Sequence, residues 1–180
     1  MKSLSTKKIV YMSFLIALSI VFTRLLSIRI PLYGVEGIRI GFGGLPMIFA
    51  GITMGPLAGG IVGALSDLIG YWINPMGGYM PHFTVTAFMT GFLPGLVYIY
   101  FFKSRKSFWT LAAAVAAGQI PTSMTLVPFM IHFLFGAPLM PLLVPRLIGE
   151  PINIFIYAYL LKLLLEYDFI DLPEQINSYS

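Results

Sequence analysis

Gly55, Gly59, Gly63 and Asp67, spaced four apart, constrain this chain more than any other feature. In an α-helix that spacing lines them along one face. The surrounding sequence, GPLAGGIVGALSDLIGYWI, is apolar and approaches the roughly 20 residues needed to cross a bilayer. Glycines repeated along one face of such a helix let a neighbouring helix approach closely. The face therefore points inward, and Asp67 points inward with it. A carboxylate at membrane depth costs about 3 kcal/mol or more unless it is paired or hydrated, which makes it a candidate functional group. Two readings stay open: a structural hydrogen bond to another helix, and contact with a ligand or proton.

Composition agrees with a membrane location. Of 180 residues, 58% are hydrophobic and 10% charged, against about 25% charged in soluble domains. The expectation is one integral membrane domain over 1–180. The net charge of +4 is no sign of nucleic acid, because most lysines fall at helix ends, where the positive-inside rule accounts for them. There are no cysteines, hence no disulfide, thiol nucleophile or Cys-ligated metal. No GxxxxGK[ST], HExxH or GxSxG occurs, and the two histidines are far apart. Neither an enzyme nor a metal site is indicated, and no cofactor is expected. The first apolar run carries Arg24 near its end and lacks a small-residue cleavage site, so it reads as a transmembrane helix rather than a signal peptide.

The pattern predicts an all-α bundle of six membrane helices, at 9–28, 44–54, 57–73, 82–102, 108–135 and 146–167. The second is short, and Pro121 and Pro128 kink the fifth. Lys2, Lys7 and Lys8 place the N-terminus in the cytoplasm, and the basic loop 103–106 and Lys162 agree with six crossings and a cytoplasmic C-terminus. The loops 29–43, 74–81 and 136–145 then face outside. They are long and rich in Gly, Pro and aromatic residues, whereas the inner turn at Gly55-Pro56 is minimal. The expected site opens outward.

Arg24, Arg29, Arg39 and Arg146 gather on that outer half, against the positive-inside bias. Arginine binds carboxylates through paired hydrogen bonds, so the group points to an anionic ligand. Each singly is equally compatible with structural pairing or, for Arg24, with snorkelling to headgroups. Phe42, Tyr71, Trp72, Tyr79 and Phe83 lie near the same surface. They fit an interfacial aromatic belt, or stacking on a flat ligand. His82, Thr84, Gln119, Thr122, Glu150 and Asn153 are polar in apolar surroundings, and Gln119 and Asn153 can donate and accept at once, which suits a heterocycle edge. His132 reads as packing or interfacial. Ser13 and Ala17 form a small-xxx-small pair on the first helix, suited to close packing or to docking another membrane protein.

Three runs resemble a known family: RIGFGGLP (39–46), GPLAGGIVGALSDLIGY (55–71) and PMGGYMPHFTVTAFMTG (75–91). They are similar to the substrate-binding S components of energy-coupling factor (ECF) vitamin transporters, most of all the folate-specific branch. The resemblance extends to LVPRLIGEPINIFIYAYLL (143–161). It implies a folate-binding subunit in the bacterial plasma membrane, working with a transmembrane coupling subunit and a pair of ATPases. It also implies docking through the first helix, where Ser13 and Ala17 are the nearest match to the family's AxxxA motif. The candidate ligand residues are then Arg24, Arg39, Phe42, Asp67, Trp72, Tyr79, His82, Gln119, Arg146 and Asn153. Asp67 or Asn153 would meet the pterin, and Arg24, Arg39 or Arg146 the glutamate. The alternatives are another vitamin or precursor (pantothenate, a pyrimidine or a queuosine precursor) or a standalone proton-coupled transporter. The absence of inverted repeats counts against the last.

Overall fold

The computed structural model describes residues 6–24, 28–32, 35–75, 79–103 and 106–166, with backbone alone for 28–32, 35–40 and 148. The expectations for Lys2, for parts of the loops 74–81 and 103–106, and for the Arg29 and Arg39 side chains lie outside the described residues.

The chain is a helical bundle. Helix α1 is Thr6–Arg24, α2 Gly44–Met54, α3 Pro56–Ile73, α4 Pro81–Leu96, α5 Phe108–Gln119, α6 Val127–Phe135 and α7 Leu139–Glu166. Helix α4 continues through a π-helical end, Val97–Phe101, and α5 runs into α6 through a π-helical segment, Ile120–Leu126. Five of the resulting helices are long and apolar enough to cross a membrane, and α2 is a shorter apolar one. The six-helix expectation therefore stands.

Helix α2 sits at the centre. Its 11 residues span only about 16 Å, and every residue from Leu45 to Met54 is buried. A helix that is apolar on all sides has no solvent face to offer and belongs in a core. Around it α3 and α4 pack at backbone distance. A methyl on Gly91 would strike the Gly59 carbonyl, one on Gly51 the Gly91 carbonyl, and one on Gly63 the Ala87 carbonyl. The inward glycine face is thus real for Gly59 and Gly63. Gly55 has a different role: its φ of +100° makes the turn between α2 and α3, and no atom lies within 4 Å of where its Cβ would be.

Four boundaries differ from expectation. The segment after α1 contains an antiparallel hairpin, β1 Ile28–Leu32 with β2 Val35–Ile40, which pairs Arg29 with Arg39 and carries an irregularity between Ile30 and Pro31. Gly34 and Gly37 had marked it as loop. Helix α1 is described as far as Arg24, and Ile28, expected at its end, lies in β1. The loop before α7 shrinks to Gly136–Pro138: Pro141 falls in the first helical turn, where its missing N–H costs nothing, so α7 starts at Leu139 and Arg146 lies two turns inside it. The expected proline kink in the fifth helix takes the form of the π segment. Pro121 cannot donate to the helical ladder, and the register slips until Val127 N–H reaches the Thr122 carbonyl.

The two ends of the bundle differ in charge. Lys8 donates to the Met54 carbonyl at 2.9 Å and Lys106 to the Leu165 carbonyl at 3.3 Å, so lysines cap the C-termini of α2 and α7 at one end. Arg24, the hairpin and Arg146 lie toward the other.

Candidate functional site

Two polar faces meet in the arginine half of the bundle. The first joins α3 to α4. Thr84 Oγ1 donates to Asp67 Oδ2 at 2.7 Å. That commits the threonine proton, so Tyr79 must be the donor in its 2.9 Å contact with Thr84 Oγ1. Asp67 Oδ1 takes no hydrogen bond among the described residues. The His82 Nε2 is buried with no partner among the described residues. His82 packs on Phe83 at a centroid distance of 4.4 Å, and Tyr79 on Tyr71 at 5.2 Å.

The second face belongs to α7. Arg146, Glu150, Asn153 and Tyr157 are spaced four, three and four apart, which puts them on one side of the helix. All four are buried. Opposite them lie Gln119, at the end of α5, and Ser123, on the π segment. Arg146 Nη1 donates to the Ser123 carbonyl at 2.6 Å, and the Ser123 hydroxyl donates to Glu150 Oε1. Glu150 Oε2 is buried without a partner among the described residues. Tyr157 donates to the Gly41 carbonyl, fixing the turn that leads from the hairpin into α2. A Cβ at Gly44 would lie 3.2 Å from the Tyr157 ring and 3.5 Å from Gln119 Nε2, so α5, α7 and the start of α2 converge there. The Gln119 and Asn153 side chains, each only 8% exposed, make no hydrogen bond among the described residues. Thr90 on α4 and Thr122 on the π segment lie 3.3 Å apart, Oγ1 to Oγ1, each donating instead to a carbonyl of its own helix, Thr86 and Gly118.

Of the residues expected at a site, Asp67, Tyr79 and His82 come together on one face, and Gln119, Arg146 and Asn153 on the other. Arg24 Nη1 donates to the Asn74 carbonyl at 3.0 Å and clamps α1 to the end of α3. Trp72 is 81% exposed, packed edge-on against Tyr71, and so stands outside both faces. Phe42 is exposed beside Phe22, at a centroid distance of 6.5 Å. Ser13 and Ala17 lie on the exposed side of α1 with Val10, Phe14 and Val21. His132 contacts the Ala137 carbonyl through Nδ1 at 2.7 Å, a structural role in the turn before α7.

Tyr157 and Ser123 escaped the sequence reading. Tyr157 was discoverable, since it continues the α7 stripe four residues beyond Asn153. Ser123 was not, because a π segment shifts its direction relative to an ordinary helix. Chemically, both faces offer hydrogen-bond donors and acceptors in apolar surroundings. Among the described residues no group of three His, Asp or Glu side chains could hold a metal ion.

Comparisons with known proteins agree with this architecture. Residues 3–167 match the family model described as the S component of the ECF-type riboflavin transporter. The folate transporter FolT of Clostridium novyi (strain NT) is 39% identical over 149 residues, covering 83% of this chain and 82% of that protein. A crystal structure of FolT bound with folic acid superposes with a TM-score of 0.76 at 28% identity, covering 93% of this chain and 96% of the other. The S component for biotin from an ECF-type ABC transporter shares the fold, with a TM-score of 0.69 at 18% identity, over 91% and 95% of the two chains. This multi-pass membrane protein belongs to the family of ECF transporter S components, substrate-binding subunits and not enzymes.

Proposed function

We propose that this chain captures folate from outside the cell and delivers it inward together with a transmembrane coupling subunit and a pair of ATPase subunits. The observation that carries this reading is the 39% identity to a folate transporter over 83% of the chain. The geometry supports it. Folate combines a flat pterin, an aromatic linker and a glutamate with two carboxylates. The unmet hydrogen-bonding capacity of Asp67, Gln119, Glu150 and Asn153 suits the pterin. A hairpin whose register pairs two arginines, Arg29 with Arg39, suits the glutamate. In this reading the arginine end faces outward, both termini are cytoplasmic, and the membrane is the bacterial plasma membrane. The exposed Ser13–Ala17 side of α1 meets the coupling subunit.

The family model's description supports a second reading, riboflavin, which is neutral and makes no use of arginines. Calorimetric titration of the purified chain separates the two. Folic acid is expected to bind tightly and riboflavin weakly. Riboflavin binding without folic acid binding would overturn the folate assignment.

A further inference from the structure

Resting on the folate reading, we infer that Glu150, backed by Gln119 and Asn153, is the specificity determinant that selects a 2-amino-4-oxopteridine over a 2,4-dioxo ring such as a flavin. The unmet capacity on the α7 face has a definite pattern. Gln119 and Asn153 each offer an amide that can donate and accept, and neither is engaged among the described residues. Glu150 Oε2 is buried and unpartnered among those residues, while Oε1 is held by Ser123. With Oε1 anchored, rotation at the end of the side chain is restricted, and the carboxylate waits with one committed and one open oxygen. An ionised carboxylate can only accept.

The pterin edge carries two adjacent donors, the 2-amino group and N3–H, flanked by the acceptor O4. The flavin edge carries one donor, N3–H, with a carbonyl on either side. An acceptor-only group therefore gains from the pterin and is repelled by the flavin carbonyls. The two amides serve either ring, because each can turn a donor or an acceptor toward it. Discrimination falls to Glu150. Leaving a buried acceptor unpaired is unfavourable, so a donor-rich ligand also relieves a cost that the empty protein carries. Arg146, bonded to the Ser123 carbonyl, places its guanidinium beside the pair.

The experiment uses the full chain in detergent or nanodiscs, with folic acid and riboflavin as ligands. Glu150→Gln preserves size and adds a donor. It is expected to weaken folic acid roughly 10–100-fold, the range of one or two charge-assisted hydrogen bonds, and to narrow the preference over riboflavin. A folic acid affinity within a factor of about three of wild type would overturn the inference. A second arm needs no variant: unsubstituted pterin and lumazine, its 2,4-dioxo counterpart, compete against folic acid on the wild-type protein. Pterin is expected to compete at least about 10-fold better, and equal competition overturns the inference even if Glu150→Gln fails to fold. Wild-type protein that binds no folic acid rejects the folate reading itself, a failure distinct from either of these.

Discussion

Thr84 and Asp67 are joined at 2.7 Å across the α3–α4 contact, at the end of the glycine face that brings those helices together. The bond uses one carboxylate oxygen and leaves the other open. Asp67 therefore holds two helices together, and its other oxygen takes no hydrogen bond among the described residues. Thr84→Val removes the donor and strands the carboxylate. We expect a stability loss of about 1–3 kcal/mol, read as a lower melting temperature in detergent. Asp67→Ala should weaken folic acid at least about 10-fold while the protein remains monodisperse. An unchanged affinity would confine Asp67 to its structural bond.

The close approach of α2, α3 and α4 predicts a strong asymmetry among glycines. Gly91→Ala and Gly51→Ala push a methyl into a carbonyl of the neighbouring helix. Each should cost about 1–3 kcal/mol or more, because close-packed backbones cannot yield. Gly55→Ala meets no neighbour, and its effect should come only from the positive φ, about 1–3 kcal/mol. Thermal unfolding of the three variants checks the order, and a Gly55 variant as damaged as the Gly91 variant would contradict it.

Arg24 reaches the Asn74 carbonyl and lies over Gly70, so it stabilises the end of α3 directly. Arg24→Ala should raise hydrogen exchange at residues 70–75 and lower the melting temperature. Any weakening of folic acid should accompany that loosening. Lost affinity with unchanged exchange would instead assign the guanidinium to the ligand.

The exposed stripe Val10, Ser13, Ala17 and Val21 on α1 predicts a separation of binding from transport. Ala17→Leu fills the small position without disturbing the bundle interior. Folic acid binding by the purified subunit should stay within a factor of about two, whereas folate uptake by the assembled transporter should fall at least about 10-fold. Normal uptake would move the docking surface elsewhere.

How much of this was legible depends on how local the cause is. Helix α2 could be located because its apolar run and flanking glycines are contiguous. The hairpin could not, because pairing Ile28 with Ile40 is a non-local event and its Gly and Pro residues carry the signature of an irregular loop. The α7 start was misjudged because proline suppresses helix in the interior yet is tolerated in the first turn. Among the candidate residues, Asp67 was singled out through its spacing from the glycines. Trp72 lies in the same neighbourhood, on the exposed side of its helix.

The sequence alone determined a membrane bundle, the contact face of α3 and the set of polar residues available to a ligand. Those follow from hydrophobic length and helical period, which each segment carries within itself. Only the tertiary structure decided which polar groups are already spent. Arg24 is taken by Asn74, Arg146 by Ser123 and one oxygen of Asp67 by Thr84. Among the described residues, Gln119, Asn153 and the second oxygen of Glu150 are left over. A hydrogen bond exists only when two groups from distant parts of the chain arrive within about 3 Å of one another. No local pattern specifies that meeting, and the groups that miss it are the ones free to read a ligand.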